Sequence, residues 1–244
     1  MYDPSGIPVL CYHSIDPSNS VISVSPESFA AQMRHLKKLG YQSISLNEIV
    51  NYVHKGVSNF NRPIGIIFDD GYRNNYTKAF PVLQEVGYTA TIFVTTGYCG
   101  KFNEWGAQNN SIPRLPMMTW EEISEMSRNG IEIGSHTKSH PKLAELDELK
   151  AREELIGAKK QIEDHIGREV EFASYPFGSF NDEVKQVAKT AFKAVVSTRV
   201  GKVRVGSDVH ALERINTSGK LFKMLPPKII FSGSLDYFIT LKNT

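Results

Sequence analysis

The chain reads as an α/β protein whose parallel strands and crossover helices close most economically as a barrel. Short apolar runs alternate with helix-patterned segments almost throughout. The chemistry-bearing residues fall just after the apolar runs, where barrel folds carry their sites. Nothing along the chain looks like a linker or an internal repeat. At 244 residues and 41% apolar composition a full core can be buried, and residues 1–244 read as one domain.

The elements follow in order. Ile7 to Tyr12 is a short apolar strand. Ser25 then offers an N-cap with Pro26 at the first helical position, opening a helix to Leu39 that Gly40 stops. Ser45-Leu46-Asn47-Glu48 is a capping box for a helix to about His54. Ile64 to Asp69 is a strand, followed by a helix near Tyr76 to Glu85 and a strand from Thr89 to Val94. Thr119-Trp120-Glu121-Glu122 is a second capping box, for a helix that ends at Asn129 and Gly130. Strand Ile131 to Gly134 precedes a long helix from about Glu145 to His165, with Leu149, Leu155, Ile156, Ile162 and Ile166 at helical spacing. Strand Glu171 to Tyr175, helix Asp182 to Ala191, strand Ala194 to Ser197 and a strand near Ala211 to Ile215 complete the alternation. The apolar, Pro226-Pro227-containing stretch Leu221 to Leu241 reads as packing across the barrel, with an oligomer or membrane-surface contact as the sharper alternative.

Composition excludes several classes. A net charge of +2 with scattered Lys and Arg argues against nucleic-acid binding. No stretch approaches a transmembrane helix in length. Met1 to Cys11 lacks the basic head and long apolar core of a signal peptide, so cytoplasm is the default expectation, with the cell envelope or exterior if a signal was trimmed. Cys11 and Cys99 fit neither a metal spacing nor a disulfide framework, and Cys11 reads as a small buried side chain.

Chemistry concentrates in two segments. Ile64 to Phe68 ends abruptly in Asp69-Asp70-Gly71, and His136-Thr137-Lys138-Ser139-His140 follows a strand-like run. One carboxylate and two neutral imidazoles form a three-ligand site for a divalent ion with a position left for water. Adjacent residues of a regular strand face opposite ways, but at a strand end followed by glycine both carboxylates can face one cavity. Bare, they would repel; a dication takes one as ligand and leaves the other ionised. The histidines at i, i+4 share a face if Thr137 to His140 form a helical turn. Thr137 stands where the zincin signature needs glutamate, so the base comes from elsewhere, and Asp69 is available. His13, Pro176 and Phe177 also fall at strand ends.

Phe68-Asp69-Asp70-Gly71, Ser135-His136-Thr137-Lys138-Ser139-His140 and Tyr175-Pro176-Phe177-Gly178 resemble the first three motifs of the polysaccharide deacetylases, carbohydrate esterase family 4 or NodB homology domains. The resemblance covers roughly Ile7 to Asn216. It implies a distorted (β/α)7-type barrel and metal-dependent removal of N-acetyl or O-acetyl groups from a glycan. By the same match Asp69 is the base, while Asp70, His136 and His140 hold zinc or another divalent ion such as cobalt, manganese or nickel. Leu10-Cys11-Tyr12-His13 resembles the permuted subgroup that deacetylates poly-N-acetylglucosamine, in which the acid histidine comes first. Ser174 stands where the family usually has an arginine that orients the base, and Arg214 is the candidate replacement.

The mechanism so implied has water activated by the ion, Asp69 removing its proton, the oxyanion held by the ion and the Phe177 N–H, and His13 protonating the departing amine. Tyr175 and Pro176 flank that position. Trp105, in a loop from Gly97 to Pro116 too long for a mere connector, is expected either to stack exposed on a sugar ring or to cover the barrel core. His35, His54 and His165 read as surface or boundary residues, and His210 as a minor candidate for substrate contact. Two rivals remain: a hydrolase of small cyclic or linear amides on the same barrel, and a non-catalytic glycan-binding relative. A deep closed pocket would favour the first, an open groove flanked by aromatics a polymer.

Overall fold

Residues 6–106 and 111–218 are described by a computed structural model; the Leu221–Leu241 expectation falls outside them. In chain order the strands are β1 (Val9–Tyr12), β2 (Ser14–Ile15), β3 (Ser23–Val24), β4 (Gln42–Ser43), β5 (Pro63–Phe68), β6 (Thr91–Val94), β7 (Glu132–Ser135), β8 (Phe172–Ser174), β9 (Ala194–Val200) and β10 (Leu212–Asn216). The helices are α1 (Pro26–Lys38), α2 (Leu46–Lys55), α3 (Phe80–Val86), α4 (Trp120–Arg128), α5 (Glu148–Arg152), α6 (Ala158–Ile166) and α7 (Asp182–Ala191).

The main sheet runs β1-β10-β9-β8-β7-β6-β5-β4, and β1 also pairs with β5. Seven parallel strands, β1 and β5 to β10, therefore close into a barrel, with β4 against the start of β5. Parallel neighbours need crossovers, which explains the helices between successive barrel strands as far as β9; β9 and β10 are joined by a loop with one 3₁₀ turn, Val209–Ala211. Ser25, Ser45 and Thr119 cap α1, α2 and α4 as their sequences predict, the last two as full capping boxes. The predicted long helix is two α-helical pieces joined by a π-turn over Glu153–Gly157. Leu149, placed on its apolar stripe, is instead 81% exposed. The π-turn shifts the buried face, so the stripe that includes Leu155 and Ile162 does not extend back to Leu149.

Strand alternation divides the apolar residues into two clusters. Outward-facing Leu10, Tyr12, Ile66 and Phe68 pack under the helices, against Phe29 and Met33 of α1 and Leu83 of α3. Inward-facing Val9, Cys11, Ile67, Phe93, Phe172, Val196 and Leu212 fill the barrel with Leu46, Ile49, Val50 and Val53 of α2, which plugs its lower mouth. Gly134 has to be glycine: a Cβ there would lie 2.4 Å from the Phe93 ring. One layer higher, the same inward rows change character and carry His13, Asp69, His136, Ser174 and Arg214.

Candidate active site

At the end of β5 the chain turns abruptly. Asp70 and Gly71 take left-handed φ of 73° and 84°, and the Gly71 N–H donates to the Asp69 carbonyl at 3.0 Å. This turn lets neighbouring carboxylates face one cavity, which a straight strand forbids. Among the described residues six non-glycines have left-handed φ, and four of them are Asp70, Thr137, His140 and Phe177. Each costs about 1–3 kcal/mol, so backbone strain collects around one centre.

His136 and His140 come together without the helical turn expected of their spacing. Thr137 and His140 are both left-handed, which no α-helical turn allows, and the His140 N–H donates to the Thr137 hydroxyl at 3.1 Å. The tight bend does what the helix was expected to do: the two Nε2 atoms lie 3.3 and 3.1 Å from the same Asp70 Oδ1. All three side chains are buried.

This donor set fits a divalent ion, for a reason visible in its hydrogen bonds. His136 Nδ1 lies 2.8 Å from the Ser174 carbonyl, which only accepts, so Nδ1 carries the hydrogen. A neutral His136 then points a bare Nε2 lone pair at a carboxylate oxygen, which is repulsive unless positive charge lies between them. Burial pushes the His136 imidazole down, but Asp69 and Asp70 outweigh it and raise it above its ordinary value. Burial likewise works against ionised Asp70, yet His136 and His140 hold it well below the carboxylate range. For His140 burial prevails and lowers it.

Asp69 lies beside this cluster, 1% exposed. Arg214 Nη1 donates to its Oδ2 and sits 3.4 Å from the Ser174 hydroxyl. A register shift between β9 and β10, between Leu212 and Arg214, accompanies this inward reach. The guanidinium thus pairs with Asp69 from β10, above the serine that stands in the third motif. Burial raises Asp69, but Arg214, then His136 and His13, keep it below its ordinary value and ionised. His13 Nε2 is 3.9 Å from Asp69 Oδ2. Burial lowers the His13 imidazole against the opposing pull of Asp70 and Asp69.

The remaining expectations divide. Phe177 is 46% exposed, left-handed, and edge-on to His140 at 4.6 Å between ring centroids. Tyr175 is turned away: its hydroxyl donates to the His210 carbonyl and its ring stacks on Phe180, so it supports the loop and Pro176 lies buried behind it. Trp105 is no exposed platform. It is 5% exposed and lies over His140 at 4.4 Å, packed also against Tyr72 and Tyr98, because the long loop folds its apolar side inward. His210 Nε2 meets the Phe192 carbonyl, away from the carboxylates. Sequence reasoning missed Asn75, whose amide donates to the His13 carbonyl at 2.7 Å, and Asn74, which bonds Ile15 and Ser14. Two amides directly after Asp-Asp-Gly-Tyr-Arg were the available signal.

A cavity of about 410 Å³ opens beside His140, between Gly106 and the Ser139–Leu146 segment. Lys142 and Glu145 on its rim are largely exposed, so it is open to solvent.

Comparison with known proteins agrees with this fold. The sequence profile of the polysaccharide deacetylases matches residues 57–195. The chain is 33% identical to Bacillus subtilis YxkH, which is named for the same family, over 88% of this chain and 72% of the relative. It is 28% identical to the poly-β-1,6-N-acetyl-D-glucosamine N-deacetylase of Staphylococcus aureus, over 83% of this chain and 70% of that protein. In fold it is similar to Streptococcus pyogenes deacetylase PplD, solved with acetate, at a TM-score of 0.80 and 24% identity, covering 94% and 98% of the two chains. A closed seven-stranded barrel with an Asp-His-His cluster at its upper mouth, matched by profile and by relatives over most of its length, places this chain in the polysaccharide deacetylase family, hydrolases of amide bonds.

Proposed function

We propose that the protein removes N-acetyl groups from a polymer of N-acetylglucosamine, with Asp70, His136 and His140 as ligands of a divalent ion, zinc first among the candidates. The observation that carries this is the convergence of both Nε2 atoms on one Asp70 oxygen, with a second, arginine-paired carboxylate beside it. An ion held there supplies Lewis acidity toward the acetyl carbonyl and the attacking water. Asp69 accepts the proton of that water, and Arg214 keeps it ionised and aimed. The strained Phe177 turn presents its backbone N–H as an oxyanion donor. His13, on the far side of Asp69, delivers a proton to the leaving amine. Because burial depresses the imidazole, its protonated form is a stronger acid toward that amine.

The substrate class rests on likeness to the staphylococcal enzyme, which is named for a polymer of N-acetylglucosamine. The Arg214–Asp69 pair favours catalysis over mere glycan binding, since a binding domain has no use for an oriented base. Acetate release from N-acetylglucosamine oligomers, with and without a chelator, tests the reading. Asp69→Asn is expected to lower release by about 10²–10⁴-fold while the bound ion stays. Activity retained in that variant removes Asp69 as the base.

A further inference from the structure

The floor beneath the proposed base carries a thiol that the mechanism does not use. Cys11 faces inward on β1, in the same row as Val9, and pairs in register with Ile67 of β5. His13 follows Cys11, and Asp69 follows Ile67, by one strand repeat, so both sit one layer above the sulfur. One ligand atom from each of Cys11, His13 and Asp69 lies within 4.8 Å of the others. Two buried atoms there have no hydrogen-bond partner among the described residues, Asp69 Oδ1 and His13 Nδ1. Arg214 engages Oδ2 and leaves Oδ1 open. The thiol donates to the Tyr12 carbonyl at 3.6 Å and also lies within reach of the Asp69 carboxylate.

Sulfur, imidazole and carboxylate together select zinc, cobalt or cadmium over magnesium or calcium. We propose that Cys11, His13 and Oδ1 of Asp69 form a second, weaker site for a thiophilic divalent ion, separate from the Asp70–His136–His140 cluster, and that filling it switches the enzyme off. Binding expels the thiol proton to solvent and transfers no electrons. Two features make the site the weaker one. Burial holds the Cys11 thiol well above its ordinary value, and the Arg214 guanidinium opposes any cation placed near Asp69. Inhibition follows because the ion would occupy both the base and the acid; that consequence rests on the catalytic reading above, whereas the binding itself does not.

Cobalt titration of the full chain tests the site by absorption. The first equivalent is expected to give visible d–d bands without sulfur character, and a further equivalent a near-ultraviolet thiolate-to-cobalt band. Acetate release falls at least about tenfold as that band grows. Cys11→Ser keeps the first equivalent, loses the band, and tolerates at least about tenfold more ion before inhibition. Cys11→Ala, whose methyl suits the apolar floor, is the second variant should the serine unfold the barrel. Cys99→Ser, removing the other cysteine, leaves the band in place. A titration without a thiolate band, or a band that survives in both Cys11 variants, overturns the proposal. The band is read whether or not the triad binds, so an absent first equivalent would sink the catalytic reading alone.

Discussion

Two acids that face the barrel interior, Asp69 and Glu132, have opposite fates. At the upper mouth Asp69 is all but inaccessible, yet Arg214, His136 and His13 hold it ionised. At the lower mouth Glu132 of β7 accepts from the Thr91 hydroxyl at 2.5 Å and from the Leu46 N–H, with no cation bonded to it among the described residues. Burial therefore raises it, and Glu171 and Glu48 add to the rise. Burial alone does not decide the charge of an interior carboxylate; the cation bonded to it does. The upper layer spends backbone strain and desolvation on assembling charge, while the lower layer, filled by α2, supplies the apolar packing that tolerates it.

If the layers are this distinct, His136→Ala should strike only the upper one. Loss of a ligand is expected to weaken ion binding by more than about a hundredfold and abolish acetate release, with thermal stability little changed once the ion is withheld from both proteins. Equilibrium dialysis with cobalt reads the first effect. A variant that binds the ion as tightly as the parent would refute the ligand set. The converse is Ile49→Ala in the plug. Deleting a fully buried side chain should cost about 2–5 kcal/mol by urea unfolding and leave cobalt affinity unaltered. A parallel loss of affinity would show the layers to be one cooperative unit.

Arg214→Met probes the upper layer more finely. The guanidinium lowers Asp69, so removing it lets the carboxylate take up its proton at higher pH, and activity should be lost earlier as pH falls. A rate–pH profile should show the acid limb displaced upward and the maximum reduced by about a hundredfold, with ion content kept. An unmoved acid limb would mean that Arg214 serves packing instead.

The fold was legible because strand and helix periods alternate cleanly and the caps are strong. Ser45 and Thr119 mark the starts of α2 and α4 to the residue. The Asp70–His136–His140 cluster was legible because Asp70 and His136 each close a strand-like apolar run and His140 lies four residues on. What the pattern concealed was conformation that a residue name does not encode. The left-handed Thr137 and His140 replace the expected helical turn, and the π-turn over Glu153–Gly157 rotates Leu149 into solvent. Trp105 stayed open between an exposed stacking platform and a core cover because nothing local to its loop discloses that His140 lies beneath it. Arg214 shows the same limit in reverse: only barrel closure brings β10 beside β5, through β1.

Glu132→Gln should give the smallest effect and the sharpest test of the lower layer. A carboxyl raised on folding binds more protons folded than unfolded, so its contribution is full below the unfolded value and is lost as pH rises through the folded one. The glutamine carbonyl can still accept from Thr91 and Leu46, but it has no charge to desolvate. Urea unfolding from pH 4 upward should therefore find the variant equal to or less stable than the parent at the acid end, and more stable near neutrality, with acetate release unaffected. If the difference runs the other way, becoming less favourable to the variant as pH rises, Glu132 is ionised in a compensated site, and the contrast between the two mouths of the barrel fails.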